Sequence, residues 1–141
     1  MAIEELFFGD NMSTPSRIGI QEKDGTYTSI YCHWDGQLSC VGKNLEKYYK
    51  TEDQVRELLS YGSISSLRTT IQTTVFFYRD LKRNLDSPIK HSSLEDWAQN
   101  YWYEFNYFFQ DGIWWVFEKE FLNTTLMPVK LALLFEKPVV R

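Results

Sequence analysis

The sequence predicts an α+β fold. It is a single domain with a mainly antiparallel sheet of about five strands and two to four helices, packed mostly on one face. Three observations predict it. Runs of β-branched and aromatic residues fold back at Asp24-Gly25 and at Asp111-Gly112, dipeptides that close hairpins. Helix starts are signalled by Thr51 with Gln54 and by Ser93 with Asp96, each a cap answered three residues later. The 141 residues fit one domain, and no repeat, low-complexity stretch or linker divides them.

The elements follow in order. Residues 1–12 read as an N-terminal extension and 13–141 as the domain. Leu6-Phe7-Phe8 is the part of the extension with the means to pack on a core. Ser16 to Lys23 alternates, with Ile18 and Ile20 on one face and Arg17, Gly19 and Gln21 on the other. Thr26 to Trp34 is the return strand, ending at the turn Asp35-Gly36. Val41, Leu45, Tyr48 and Tyr49 are spaced as one face of a helix over 41–50. Thr51 caps a second helix with Val55, Leu58 and Leu59 as its apolar stripe, and Gly62 is its expected left-handed stop. Ser63 to Arg68 is a connector whose Ile64 and Leu67 turn inward.

Thr69 to Asp80 is β-branched and aromatic without a breaker, which predicts a third strand. The polar run Leu81 to His91, with Pro88, predicts a surface loop. Ser93 opens a short helix to about Asn100. Tyr101 to Phe109 and Ile113 to Phe117 form a second hairpin, placed at the centre of the sheet. For 128–136 the spacing favours a helix with Pro128 at its first position, with a strand as the alternative.

Composition excludes several classes. Aromatic residues make up 17% of the chain, an unusual density, and the apolar fraction of 43% is too high for disorder. No apolar run has the length of a membrane span or a secretory signal. The formal charge of −4 disfavours long nucleic acid as a partner, while leaving a single small nucleotide open. Two cysteines make neither a disulfide framework nor a zinc site. In a cytosolic chain they are reduced thiols.

The candidate site residues centre on Tyr31-Cys32-His33-Trp34-Asp35-Gly36. Alternation puts Tyr31 and His33 on one face and Cys32 and Trp34 on the other, so Cys32 and His33 cannot readily form an ion pair. No second histidine stands at ligand spacing, which disfavours a metal. The bland reading makes Cys32 and Trp34 core and His33 an ordinary strand residue. The sharper one has His33 and Asp35 contact a ligand, with Tyr31 or Tyr78 as a stacking face. Arg17, on the neighbouring strand, is a candidate partner for Asp35 or for an anionic ligand. Arg79 is either half of a surface pair with Asp80 or a clamp for phosphate or carboxylate. Gly36 to Gly42, followed by Lys43, is a generic anion-binding turn; Asn44 stands where a phosphate-binding loop needs Ser or Thr. No cofactor motif is present.

Arg17-Ile18-Gly19-Ile20, Asp24-Gly25, Ser29 through Gly36, Val41-Gly42 and Ser65-Ser66-Leu67 carry a resemblance. The chain resembles a family of small tailed-bacteriophage proteins with the pattern SRIGI…SIYCHWDG…VG. Most members of that family are known only as hypothetical proteins. Phe105, Tyr107, Phe109, Asp111-Gly112 and Trp114 match its last element, so the resemblance runs roughly from Ser13 to Trp115. Gln37-Leu38 departs from the family's Tyr-Pro, and Leu81-Lys82-Arg83 from its Arg-Gly-Glu. The resemblance implies a phage origin, the host bacterial cytoplasm and an accessory role, without an established activity.

The expectation is a non-enzymatic binding module in host takeover or counter-defence. It would hold a host defence protein or sequester a small anionic, nucleotide-like ligand through Arg17, Tyr31, His33, Asp35, Lys43, Tyr78 and Arg79, and would form a homo-oligomer, most simply a dimer. The alternatives are a phosphate-directed hydrolase using His33 and Asp35 and a structural oligomer assembled through the 101–117 aromatics.

Overall fold

The structure is a computed structural model that describes residues 13–84, 88–119 and 124–135. Leu6-Phe7-Phe8 and the N-terminal extension lie outside the described residues. In chain order the elements are β1 (Ser16–Gln21), β2 (Tyr27–Cys32), a π-helical turn (Leu38–Gly42), α1 (Lys43–Tyr48), α2 (Glu52–Ser60), β3 (Ile64–Ser66), β4 (Val75–Phe76), β5 (Ile89–His91), α3 (Leu94–Asn100), β6 (Phe105–Gln110), β7 (Ile113–Lys119), β8 (Thr124–Pro128) and α4 (Val129–Phe135).

The eight strands form one sheet in the order β4-β3-β2-β1-β6-β7-β8, with β5 pairing β2 beside β3. Both expected hairpins are present, β1 with β2 and β6 with β7. They meet side by side in the middle of the sheet, where β1 and β6 run parallel. Beta2 and β3 are the other parallel pair. The sheet is therefore mixed, with more strands than expected, within the α+β class.

Alternation along these strands separates two cores. Ile18, Ile20, Ile30, Cys32, Tyr107, Phe109, Trp114 and Val116 point to one face and pack on Leu45, Val55, Leu58, Leu59, Val129 and Ala132 of α1, α2 and α4. Tyr27, Phe108 and Phe117 point to the other and pack on Trp97 and Ala98 of α3. Three helices thus share a face and the fourth covers the opposite one.

Helix α2 starts as its sequence dictates. Thr51 accepts from the Gln54 N–H and Gln54 reaches back to the Thr51 N–H, a complete capping box. Gly62 ends the helix region at φ +77°.

Five expectations are corrected. Thr69 to Asp80 holds a strand only at Val75–Phe76. Thr74 Oγ1 donates to the Thr70 carbonyl and accepts from the Arg68 N–H, while the Asp80 carboxylate accepts from the Phe76 N–H. These local bonds give the backbone an alternative to a ladder. The connector after Gly62 contains β3, because the buried Ile64 pairs with Cys32. The loop over 81–91 ends in β5, and His91 is fully buried. Tyr101 to Glu104 precede the strand rather than belong to it. The tail forms a helix over 129–135, preceded by an edge strand in which Pro128 is the last residue.

Candidate functional site

Beta2 and β3 run parallel, and their pairing continues past β2, where His33 and Trp34 N–H groups donate to the Ile64 and Ser65 carbonyls. Ligands of open sheets tend to bind in the crevice beyond the carboxyl ends of parallel strands. Here that crevice is a cleft of about 370 Å³, lined by Asp35, Ser39, Cys40, Val41, Lys43, Asn44, Lys47, Tyr48 and Leu67. Its volume falls at the lower end of the roughly 300–1,000 Å³ range of small-molecule sites.

The backbone at its mouth is unusual in two ways. Asp35 stands at φ 59°, the left-handed region that a non-glycine residue occupies at a cost. It is held there because its carbonyl accepts from the Val41 N–H at 3.0 Å and the next residue's N–H donates to Thr14 at 2.7 Å. That next residue is Gly36, where a Cβ would lie 2.5 Å from the Thr14 carbonyl oxygen. Gly36 also accepts from the buried Tyr107 hydroxyl at 2.7 Å. The chain then makes a π-helical turn over Leu38–Gly42 before α1, an arrangement frequent at functional sites. The turn and α1 bring Ser39, Lys43, Asn44 and Lys47 to one side of the cleft.

Lys43 and Lys47 are four residues apart, so both project from one face of α1. Among the described residues, neither ammonium forms an ion pair. Lys47 lies 5.4 Å from the centre of the Tyr48 ring, which is partly exposed. Cys40 lines the cleft with its thiol accepting from Gln37 Nε2 at 3.4 Å. The other cysteine is different in kind. Burial pushes the Cys32 thiol up to about 12, so at neutral pH it is a protonated core side chain.

The remaining residues singled out by sequence lie elsewhere. Tyr31 and His33 share a face of β2, and the Tyr31 hydroxyl and His33 Nδ1 are 2.6 Å apart. They belong to an aromatic cluster with Tyr103, Trp34 and Phe77. Arg17 is buried under α3, where Nε donates to Ser29 Oγ at 2.7 Å and the guanidinium lies 5.6 Å from the Tyr101 ring centre. Arg79 makes a forked contact with the neighbouring Asp80 carboxylate at 2.9 Å and stacks over Phe76 and Tyr61. Tyr78, beside it, is 70% exposed. Of the seven, the structure brings Asp35 and Lys43 into one cleft and pairs Tyr31 with His33. Arg17 stands opposite Tyr31 across the β1–β2 pair but turns to Ser29 and Tyr101, and neither it nor the Tyr78-Arg79 corner lines the cleft.

Sequence reasoning named Ser39 only as part of the Gly36–Gly42 turn and missed Asn44, Lys47 and Tyr48 as cleft residues; the i, i+4 spacing of Lys43 and Lys47 was the available signal. It also missed the buried cluster on the opposite face. Ser29 Oγ lies 2.7 Å from His91 Nε2, and His91 stacks on Trp97 with ring centres 4.8 Å apart. Burial, reinforced by the Arg17 cation, lowers the His91 pKa to about 4, so its ring is neutral near pH 7.

Among the described residues, no three His, Cys, Asp or Glu side chains gather as a metal site, and no helix is long and apolar enough to cross a membrane. Comparison with protein-family models, curated proteins and solved structures finds no match.

Proposed function

We propose that this chain is a small non-enzymatic binding module, an accessory protein of a tailed bacteriophage that sequesters a small anionic, nucleotide-like ligand in the host cytoplasm during host takeover or counter-defence. One observation carries the ligand class. Two ammonium groups without an ion-pair partner among the described residues share a cleft with Ser39, Asn44 and the Tyr48 ring. Two cations one helical turn apart suit a phosphate, the hydroxyl and amide suit its remaining oxygens, and an exposed ring suits a base. Asp35 supplies an acceptor for an amino or hydroxyl group on the same ligand.

Native mass spectrometry of the protein purified from bacterial cells, followed by denaturation, identifies what it carries. Calorimetric titration with a 5′-nucleoside monophosphate then tests the cleft. The double variant Lys43→Ala, Lys47→Ala is expected to bind at least about tenfold more weakly, since each lost charge-assisted contact is worth about 1.5–3 kcal/mol. Equal affinity of the wild type and the variant would show that the cleft is not the site.

A hydrolase built on His33 and Asp35 is less well supported. His33 Nδ1 is engaged by Tyr31, while Asp35 lines the cleft with Lys43. Recovery of the released ligand intact separates binding from turnover. Contact with a host defence protein is the second reading. It is favoured by the corner at 76–83, which presents Tyr78 and Leu81 beside Lys82 and Arg83.

A further inference from the structure

Among the described residues, β8 ends the sheet, pairing with β7 on one side and with no strand on the other. An unpaired edge is a template for another strand, and proteins commonly blunt such edges with charge. Beta8 reads Thr124-Thr125-Leu126-Met127-Pro128 and carries no charge, and its single proline, itself a blunting residue, stands at the last position. The far end of the sheet offers no equivalent, because β4 has only two residues.

Apolar side chains flank this edge on both faces. Leu126 pairs with Phe117 and so lies on the α3 side, where it is 47% exposed. Met127 lies on the opposite side, which α4 covers. Helix α4 buries Val129 and Ala132 and turns Leu131, Leu134 and Phe135 outward, the last two 76% and 71% exposed.

We infer that β8 and α4 form a twofold interface with a second copy of this chain. Antiparallel pairing of β8 with its own copy about Leu126 continues the sheet across the axis. It sets the two Leu126 side chains together on one face and the two α4 helices side by side on the other. Charge favours a self-pair, because Lys130 is the lone charged residue over 124–135 and little like-charge repulsion arises. Area favours it too. The four exposed side chains leave on the order of 400 Å² of apolar surface per copy, split between Leu126 on the α3 side and Leu131, Leu134 and Phe135 on the α4 side. Covering both patches and two strand backbones removes on the order of 1,000 Å² in all, the threshold of a specific interface. This inference is independent of the ligand cleft.

Sedimentation velocity on the full chain tests it. The wild type is expected at about twice 16.8 kDa. The double variant Leu134→Glu, Phe135→Glu is expected to sediment as a monomer with an unchanged circular dichroism spectrum, because both side chains already face solvent. Leu126→Cys is expected to form a disulfide-linked dimer on mild oxidation. Ile113→Cys, exposed on β7, is expected to remain at the wild-type background set by Cys32 and Cys40. A wild type that stays monomeric at about 100 µM overturns the inference. So does a dimer that survives the double variant. A dimer that the double variant breaks, but in which Leu126→Cys fails to cross-link, overturns the strand pairing.

Discussion

At position 19 a single methyl group decides whether the sheet closes. A Cβ there would meet the Thr28 carbonyl oxygen at less than contact distance and lie 3.0 Å from both Ser29 Cβ and the Trp97 ring. Backbone and a fully buried indole cannot yield as a flexible chain end would. Gly19→Ala is expected to destabilise the protein by about 2–4 kcal/mol, read as a lower urea midpoint at unchanged slope. A variant within about 0.5 kcal/mol of the wild type would mean that α3 does not seat on β1 as described. The sequence placed Gly19 on the face opposite Ile18 and Ile20, which is correct. That face reads as polar because Arg17 and Gln21 flank the glycine, so its burial under Trp97 was not legible. Burial of Arg17 depends on Ser29 and Tyr101, residues distant in sequence, and no local pattern announces them.

Elements were legible where local chemistry and tertiary pairing agree. The capping box at Thr51, the Asp24-Gly25 and Asp111-Gly112 turns and the α2 stripe are all local signals, and all are present. Thr69 to Asp80 shows the opposite case. Its residues favour a strand, yet Thr70, Thr74 and Asp80 bond to nearby backbone and fold it into turns that leave two strand residues. Thr74→Val tests which influence governs. Valine is a better strand former and nearly isosteric, so a segment ruled by propensity would gain or hold stability. Here the buried Thr74 hydroxyl serves the Arg68 N–H and the Thr70 carbonyl. Its loss strands the Arg68 N–H, while the Thr70 carbonyl keeps the Thr74 N–H, and is expected to cost about 1–3 kcal/mol in thermal or urea unfolding. The cleft was half legible for the same reason. Asp35 and Lys43 stand in a recognisable turn-to-helix segment, whereas Leu67 reaches the cleft only through the parallel pairing of β3 with β2.

For the whole molecule, the sheet divides the protein into two layers that answer differently to pH. The larger core, beneath α1, α2 and α4, is apolar. The smaller one holds His91, buried between Trp97 and Tyr101, bonded to Ser29 and close to the Arg17 cation. Asp96 is the acidic group that acts on it, and it only partly offsets burial and Arg17. The folded protein therefore holds His91 neutral down to about pH 4, while the unfolded chain binds that proton near pH 6.5. Between these values the unfolded state carries more protons, so stability falls as pH falls. The contribution is fully present above about pH 6.5. It is lost progressively toward about pH 4, by about 3 kcal/mol in all. Asp24, Asp80 and Asp96 are held below the ordinary carboxyl range by their hydrogen-bond partners, so their contributions persist through this window and fade only at lower pH. Urea midpoints at pH 7, 5.5 and 4.5 isolate the histidine. Wild type is expected to lose stability steeply across the series. His91→Phe keeps a ring on Trp97 without the titrating nitrogen and is expected to follow a much flatter line. Parallel lines for the two proteins would mean that His91 is not the group responsible. Because β5 and α3 both dock through this residue, the first structural change on acidification is expected in the α3 layer. Trp97 fluorescence should then shift before the far-ultraviolet signal of the sheet is lost.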